Sequence, residues 1–483
     1  MNESPLALRL DDDRALDPAL TGGKGASLAS LARAGFPVPA AIVATSACYR
    51  AFHDAWPELA RRARQLPVAE PEPLRSACAA LRERLLARPI PPPVADALED
   101  ALRDLVEAGP VSVRSSATLE DLAGAAFAGQ HDSYLGLRGM DEVLTHIRRC
   151  WASLWEDRAV RYRHEQGFGV DAAAMAVVVQ RMVPADVAGV AFSMDPITGR
   201  TDRVLITSAW GLGETVVSGE GEVDTLRVGP EGDIVERSTG AKAHELVQTP
   251  AGVESRAVPA ERRDAASLTD ARAAAVAELA RRAEGHYGFP QDIEWAIAGG
   301  SLFLLQSRPV TEFPARWTRD EAAERFPTPI TPLTWDFTTR GFHESLAHSL
   351  ELMGLPAFRG EWFARLDGYI YGNQTAVEVF TAGHQLDFAD LDELADRVPE
   401  LRERYRWVQE LPVRWARDLD RYLLALGRLQ GRDLGALDLP ALWNHVLEVD
   451  AVGREYFLPN IAISITQGLL HRLLFRLITL VVG

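Results

Sequence analysis

A glycine-rich segment near the start of the chain could bind a phosphate group. Residues 21–31 read TGGKGASLASL and place Lys24 among three glycines, directly before a helix predicted over residues 27–34. Glycines let backbone amides approach an anion, and a helix N-terminus adds partial positive charge. The spacing is not that of a Walker A sequence. The pattern predicts a phosphate-binding turn, with a plain glycine turn as the alternative.

The scarcity of lysine gives this segment more weight. Of the 51 basic residues only Lys24 and Lys242 are lysines, and the other 49 are arginines. Arginine can replace lysine where a solvated cation is enough, but not where a compact ammonium group must reach a phosphate through a narrow gap. The position of each lysine is therefore informative.

A second candidate segment, residues 111–135, begins with a predicted strand that ends at Arg114. Three hydroxyl residues follow, Ser115, Ser116 and Thr118. A loop of small residues then runs through Gly129. A guanidinium fork, hydroxyls and free loop amides are groups that bind a triphosphate. The absence of bulky side chains over residues 123–126 favours a flap that lies close over a ligand, with an ordinary loop as the alternative.

The third candidate is a predicted hairpin, QDIEWAIAGGSLFLLQSRPV, over residues 291–310. Side chains alternate along a strand, so Asp292 and Glu294 share one face, as do Gln306 and Arg308. A three-residue connection would set Glu294 opposite Gln306 and Asp292 opposite Arg308. This set suits a magnesium triphosphate, because Mg²⁺ prefers carboxylate oxygen plus substrate phosphate. A solvated face of exposed charges is the alternative.

These segments must be positioned by a mixed fold. Apolar residues have helical spacing up to about residue 110, and short β-branched runs between glycine loops follow. We predict an α+β domain with a largely antiparallel sheet over residues 1–313, a proline-rich linker over 314–335 and a mainly helical region over 336–483. Helices in that last region are predicted over 338–352, 388–397, 401–428, 440–456 and 461–481.

Six segments of the chain together resemble one protein family. They are GGKGASL, SVRSSATLED, FAGQHDSYL, VVVQRMVPADVAGVAFSMDPITG, WGLGE and DIEWAI with LLQSRPV. They occur in the order found in the ATP-grasp domain of the pyruvate, phosphate dikinase and phosphoenolpyruvate synthase family. The resemblance covers about residues 5–313, and six ordered motifs are far more specific than one. It implies an ATP-grasp fold with ATP and Mg²⁺ as ligands.

The resemblance also implies roles for individual residues. Lys24 and Arg114 match the phosphate-binding pair of the family, Gly129 and Ser133 match the loop over the phosphates, and Gln180 matches the adenine position. Lys24 and Arg114 are accordingly two of the three candidate catalytic residues.

The hairpin supplies the remaining residues that the resemblance implies. Glu294, Gln306 and Arg308 match residues near the phosphates and metal, so Arg308 is the third candidate catalytic residue. Glu294, Gln306 and Asp292 are the candidate Mg²⁺ ligands. Lys242 lies in STGAKAHELV, which resembles a GxK segment of the family, and both a ligand role and a structural role remain open for it.

The family reaction implies a part that this sequence does not contain. In such enzymes ATP transfers its β-phosphoryl group to a histidine on a swivelling domain, giving AMP and phosphate, and that histidine phosphorylates the acceptor. The family places the histidine in a segment like TGGxxSH, and none of the 11 histidines here has that context. We expect a histidine domain supplied by a missing stretch of the chain or by another chain.

The region after residue 313 resembles the layout of rifampicin phosphotransferases, in which a helical acceptor domain follows the ATP domain. The resemblance rests on residues 327–335. It implies a small-molecule acceptor, either pyruvate or a hydroxyl compound such as a rifamycin. Six aromatic residues are candidate pocket walls, with a core role as the alternative: Trp335, Phe342, Trp362, Phe363, Tyr369 and Tyr371.

The composition argues against several other partners. A net charge of −17 and a pI near 5.2 are poorly suited to a nucleic-acid or anionic-membrane surface. The N-terminus has no secretion signal, which predicts a cytoplasmic protein. The three cysteines, Cys48, Cys78 and Cys150, have neither metal nor disulfide spacing and are expected to be buried thiols.

The apolar segment over residues 463–483 is interrupted by charged residues, which favours a core helix over a membrane span. A large apolar face invites association, so we expect further polypeptide or a partner to cover it. The leading hypothesis is the ATP-binding and acceptor-binding part of a dikinase-type phosphotransferase. The alternative is a module that binds ATP for sensing or interaction and catalyses nothing.

Overall fold

The computed structural model describes residues 4–118, 133–165, 169, 174–217, 219, 221–358, 360–382, 388 and 390–482. The chain forms two compact units. The first consists of Met1–Asp195, Arg200–His286 and Pro290–Val310, and the second of Pro196–Gly199, Tyr287–Phe289 and Thr311–Gly483.

The first unit contains both helices and strands. Its strands are β1 (Ala7–Arg9), β2 (Ala41–Ala44), β3 (Val111–Ala117), β4 (Ser133–Leu137), β5 (Met175–Arg181), β6 (Val187–Phe192), β7 (Val204–Trp210), β8 (Asp224–Val228), β9 (Ile234–Ser238), β10 (His244–Thr249), β11 (Gly252–Ala257), β12 (Gln291–Ala298) and β13 (Ser301–Pro309). Its helices are α1 (Pro18–Arg33), α2 (Ser46–Asp54), α3 (Pro57–Arg64), α4 (Pro71–Leu86), α5 (Pro92–Glu107), α6 (Met140–Ser153), α7 (Asp157–Glu165), α8 (Glu214–Val217), α9 (Ala260–Arg263) and α10 (Asp270–Tyr287).

The first sheet of this unit has the strand order β1-β2-β5-β3-β4 and is antiparallel throughout. One of its faces carries apolar residues such as Val113 and Val179, which join a large core with helices α2 to α7. Helix α5 buries Leu98, Leu102 and Leu105 in that core, because a spacing of three and four residues places them on one side of the helix. Helix α1 covers part of the opposite face.

The second sheet has the strand order β13-β12-β6-β7-β8-β9, and its neighbouring strands also run antiparallel. Strands β10 and β11 form a separate two-stranded sheet. The predicted α+β class and the predicted antiparallel pairing are both confirmed. All three cysteines are buried thiols, as predicted.

The second unit is mainly helical and contains a small sheet that the sequence did not predict. Its strands are β14 (Trp317–Thr318), β15 (Phe363–Leu366) and β16 (Tyr369–Asn373), in the order β14-β16-β15. Its helices are α11 (Asp320–Arg325), α12 (Pro332–Leu352), α13 (Gln374–Ala382), α14 (Leu391–Arg404), α15 (Arg406–Gln430), α16 (Leu439–Phe457) and α17 (Asn460–Val482). The stretch 314–335, predicted as a linker, therefore holds β14, α11 and the first turn of α12.

The last two helices are largely exposed in this unit. Leu470, Leu474 and Phe475 of α17 are more than half exposed. The described residues therefore do not supply the cover that the sequence analysis expects for this helix. In the part of the chain that the structure describes, one helical stretch, Leu439–Leu480, could cross a membrane by length and composition alone. Its best window has a mean hydropathy of 1.3, and 6% of that window is buried.

Candidate functional site

One face of the first sheet carries a row of polar side chains. In the register of the strands, Arg114 lies opposite Ser133 on β4, and Ser112 lies opposite Gln180 on β5. Directly opposed residues in an antiparallel sheet project from the same face, and residues two apart on one strand share it. Arg114, Ser133 and Gln180 therefore share the face on which α1 lies. Gly129 falls outside the described residues.

Only one of the three hydroxyls predicted to meet a triphosphate lies beside Arg114 on this face. Ser116 is two residues after Arg114 and shares its face. Ser115 belongs to the opposite, apolar face by the same alternation. The Thr118 hydroxyl donates to the Ala174 carbonyl at 3.1 Å, which ties the end of β3 to the start of β5.

The glycine-rich segment lies inside a kinked helix rather than in a loop before one. Helix α1 begins at Pro18 and bends at Gly22, whose φ and ψ of 67° and 172° are not helical. A Cβ at Gly22 would lie 2.2 Å from the Ser116 carbonyl oxygen, so only glycine permits this approach to β3. Lys24 is half-buried just after the kink. The sequence located the segment but missed the helical turn before it.

The predicted partners in the hairpin do lie opposite each other. Asp292 pairs with Arg308 and Glu294 pairs with Gln306, as expected. The connection is shorter than predicted, because Ala298 pairs directly with Ser301 across the turn. The two turn residues, Gly299 and Gly300, both have positive φ (55° and 85°), which matches the twist of a two-residue hairpin.

A β-bulge restores the register that the short turn would otherwise shift. The irregularity lies beside Glu294, where Leu305 is the extra residue on β13. A bulge re-aims the neighbouring side chains. The Leu305 carbonyl points toward the first sheet and accepts a hydrogen bond from Arg114 Nη1 at 3.2 Å. No sequence pattern indicated this carbonyl as part of the site.

Arg114 also joins the two sheets through an ion pair. Its Nη2 donates to Glu294 Oε2, and the two side chains are only 14% and 22% exposed. Two further bonds hold β13 beside the α1 region. The Ser27 hydroxyl donates to the Ser307 carbonyl at 3.2 Å, and Leu304 N–H donates to the Pro37 carbonyl at 3.0 Å. The Arg114 guanidinium of the first sheet thus meets one carboxylate of the second, that of Glu294.

The Asp292 carboxylate of the hairpin is buried beside Arg308. Burial raises the pKa of the Asp292 carboxyl, and its ion pair with Arg308 opposes that rise. Arg308 Nε is 2.7 Å from Asp292 Oδ2, and the Arg308 side chain is half exposed. The Arg308 guanidinium is therefore partly accessible to a ligand while it pairs with Asp292.

The donor set fits a magnesium ion that is bound together with phosphate. In the described ranges, no group of three or more His, Cys, Asp or Glu side chains is arranged to hold a metal. Mg²⁺ is usually held by one or two carboxylates plus substrate phosphates, keeping several waters. Asp292 and Glu294 on one strand face supply two carboxylates, and Gln306 adds an amide oxygen opposite Glu294.

Gln180 offers a group that a bound base could satisfy. The side chain is 2% exposed, and its Nε2 has no hydrogen-bond partner among the described residues. A buried polar atom normally has a partner, and each exception in a native structure needs an explanation. A heterocyclic base that accepts this N–H would provide one. The adenine role that the family resemblance implies for Gln180 stays a prediction.

Lys242 lies in a buried structural network. Its side chain is 1% exposed and its Nζ donates to Asp224 Oδ1 and, at 2.8 Å, to the Gly240 carbonyl. Asp224 Oδ2 accepts from both the N–H and the hydroxyl of Ser267 at 2.6 Å. These bonds occupy the ammonium group within the fold, so the structure favours the structural role for Lys242.

Three of the six aromatic candidates of the second unit, Phe342, Trp362 and Phe363, pack against other aromatic rings. Phe342 makes edge contacts with Phe363 and Phe457, and Trp362 contacts Phe380. The Arg319 guanidinium lies 4.2 Å from the centre of the Tyr369 ring. Trp362 is 4% exposed, which favours the core role for it, and the role of the other candidates stays a prediction.

Comparison with known proteins assigns the chain to a family. A family model described as "Pyruvate phosphate dikinase, AMP/ATP-binding domain" matches residues 18–326. The chain is 41% identical over 304 residues to a probable phosphoenolpyruvate synthase of Methanothermobacter thermautotrophicus, covering 61% of this chain and 44% of that protein. It is 41% identical over 312 residues to a rifampicin phosphotransferase of a Streptomyces species, covering 63% and 36%.

A third relative matches more of this chain. The prodigiosin synthesizing transferase PigC of Serratia marcescens is 36% identical over 395 residues, covering 76% of this chain and 43% of that protein. The first unit ends at Val310, so this match includes residues of the second unit. The chain spans less than half the length of these three relatives. Because the family model matches well over half of the chain, the protein belongs to the pyruvate phosphate dikinase AMP/ATP-binding domain family.

Proposed function

We propose that the first unit binds Mg-ATP, in an ATP-grasp fold, between the Arg114 face of its first sheet and the β12–β13 hairpin. The observation that carries the proposal is the Arg114–Glu294 ion pair, which brings a phosphate-binding type of cation to a candidate metal carboxylate. The reaction is phosphoryl transfer of the phosphoenolpyruvate synthase and rifampicin phosphotransferase type. We place the protein in the cytoplasm, as the sequence analysis predicts.

Each residue has a defined role in this proposal. Lys24, Arg114 and Arg308 bind the phosphates and offset the negative charge of the transition state, which is the main protein contribution to phosphoryl transfer. Gln180 orients the adenine, and Ser133 with Gly129 contacts the phosphates. Asp292, Glu294 and Gln306 hold Mg²⁺, which when bound neutralises phosphate oxygens.

The phosphoryl group passes from ATP to a histidine on a separate domain, which belongs either to the same polypeptide or to another chain. ATP, water and histidine give AMP, phosphate and phosphohistidine, so the atoms balance. The bond between the α,β-bridging oxygen and the β-phosphorus breaks as the histidine nitrogen–phosphorus bond forms. Water then cleaves the bond between the β,γ-bridging oxygen and the γ-phosphorus, so phosphate leaves and the β-phosphoryl group stays on the histidine. The acceptor, pyruvate or a hydroxyl compound such as a rifamycin, then takes the group. The names of the relatives support acceptors of these two kinds.

Titration calorimetry tests the binding step. We expect the parent chain to bind ATP with Mg²⁺, and Lys24→Ala and Arg308→Ala each to weaken binding by about tenfold or more, since each removes a charge-assisted contact. Arg9→Ala is the matched control, because Arg9 is 76% exposed and its ion pair is with the near neighbour Asp11. No binding by the parent, or equal loss in the control, would contradict the proposal.

A second candidate function is a module that binds ATP without turnover. The exposed apolar residues of α17 favour it, because such a face invites association. Both candidates predict ATP binding, so the products must decide. A histidine domain of a relative, added in trans, should give AMP and phosphohistidine if the enzyme proposal is right. ATP binding with no AMP under the same conditions would support the module.

A further inference from the structure

The Ser116 hydroxyl bridges two backbone groups of the glycine-rich segment. It donates to the Thr21 carbonyl at 2.8 Å and accepts from the Gly25 N–H at 3.1 Å. Thr21 and Gly25 are four residues apart, so in a regular helix these two groups would pair with each other. Ser116 is fully buried. A side chain from β3 is therefore inserted at the turn where α1 bends.

The backbone of the segment is shaped to receive this hydroxyl. Gly22 has the left-handed φ of 67°, and an added Cβ would lie 2.3 Å from Ser116 Oγ. The Thr21 hydroxyl is itself fixed by a 2.8 Å bond to the Ala15 carbonyl. Inserted side chains are a recognised cause of sharp helix kinks. The kink at Gly22 and the hydroxyl of Ser116 thus form one arrangement.

We infer that Ser116 is a positioning residue that holds Lys24 in place relative to Arg114, an inference that rests on the proposed function. Ser116 and Arg114 are on the same face of the same strand, two residues apart. Ser116 contacts the backbone on both sides of Lys24, at Thr21 and Gly25. The hydroxyl therefore links the two candidate phosphate-binding cations through the backbone and acts on the ligand only through Lys24.

The positioning role has a distinct energetic signature. Removal of the hydroxyl leaves the Thr21 carbonyl and the Gly25 N–H without this bridge, so the segment should open more often. A lysine on a loosened segment must be ordered when the phosphates bind, and that cost lowers affinity. A ligand without phosphates does not use Lys24. The loss should therefore fall on ATP and spare adenosine.

Two measurements on the whole chain test the inference, with Ser116→Ala as the variant. Ser153→Ala is the control, since Ser153 is also buried and donates to a helix carbonyl, Cys150, at 2.8 Å. Hydrogen exchange without ligand should show the Gly25 amide exchanging about tenfold faster in Ser116→Ala, and unchanged in the control. Calorimetry should show about a tenfold loss of Mg-ATP affinity with adenosine affinity unchanged.

The outcomes separate this inference from the proposed function. Unchanged exchange at Gly25, or faster exchange with full ATP affinity, would overturn the positioning role. Equal losses for ATP and adenosine would also overturn it, because they indicate general damage. A parent chain that does not bind Mg-ATP would refute the proposed function, and the exchange measurement alone would then decide whether Ser116 holds the segment. Ser116→Cys, with a weaker donor of similar shape, serves if the alanine variant does not fold.

Discussion

Arg114 on β3 donates to the Glu294 carboxylate on β12, and this ion pair links the first sheet to the second. A bound triphosphate would compete with Glu294 for this guanidinium. We predict that Arg114→Lys lowers Mg-ATP affinity by about tenfold or more. Lysine keeps the charge but lacks the planar fork that reaches both Glu294 and the Leu305 carbonyl. Calorimetry with and without Mg²⁺ measures the loss.

The stability of two further arginine variants tests the Arg114–Glu294 ion pair itself. Arg114→Ala removes the partner of a largely buried carboxylate and should cost roughly 1–3 kcal/mol of unfolding free energy, as measured by urea denaturation. Arg103→Ala breaks an exposed ion pair with Asp100, whose side chains are 56% and 73% exposed, and should change stability by less than about 0.5 kcal/mol. If Arg114→Lys binds ATP with wild-type affinity, the planar guanidinium of Arg114 is not needed for binding.

Gln180 should show opposite effects on stability and on binding. Its Nε2 is buried without a partner among the described residues, so Gln180→Leu removes an unsatisfied polar atom. We predict unfolding free energy that is equal or higher by up to about 1 kcal/mol, together with roughly tenfold weaker adenosine and ATP binding. Thermal unfolding and calorimetry on one preparation test both parts. A destabilised variant with normal adenosine affinity would show that Gln180 is a packing residue only.

The sequence predicted which hairpin residues would meet, but for an incomplete reason. Alternation along the strands placed Asp292 opposite Arg308 and Glu294 opposite Gln306. The actual register depends on a two-residue turn and a bulge at Leu305 that compensate for each other. A local pattern specifies which residues share a strand face, but the bulge depends on how β13 packs beside α1 and Arg114. The direction of the Leu305 carbonyl was therefore not predictable.

The kink in α1 shows a second limit. Local signals placed the helix after the glycines, since glycine disfavours helix interiors. The structure extends the helix back to Pro18 because Ser116, 91 residues beyond Gly25, satisfies the backbone at the bend. Lysine scarcity indicated both lysines as positions of interest, and the role of Lys24 stays a prediction. Scarcity could not separate a half-buried lysine at a candidate site from Lys242 in a buried network, because burial depends on long-range packing.

Substitution of Lys242 should lower the free energy of unfolding without a direct effect on ATP affinity. Lys242→Met leaves the Asp224 carboxylate buried without its cation and should cost about 3–5 kcal/mol in urea denaturation. Arg237→Met is the control, because its partner Asp270 is 75% exposed, and should cost at most about 1 kcal/mol. At a temperature where both variants are folded, ATP affinity should stay within about twofold. A large loss of affinity in folded Lys242→Met would return Lys242 to the candidate ligand residues.

The thiol of Cys48 should make stability depend on alkaline pH. Burial raises the pKa of Cys48 to about 12, and the Sγ donates to the Leu6 carbonyl at 2.9 Å. Above about pH 9 an unfolded thiol loses its proton while the folded one keeps it, so unfolding releases a proton and stability falls as pH rises toward 12.

The slope of that fall is the measurable quantity. A single fully protected thiol contributes at most about 1.4 kcal/mol per pH unit. Urea denaturation between pH 8 and 11 should give a shallower decline for Cys48→Ala than for the parent chain. The cavity left by this substitution shifts the whole curve downward, but it does not alter the slope. Parallel curves for the two proteins would mean that Cys48 ionises equally in the folded and unfolded states, and the buried position of its thiol would then be wrong.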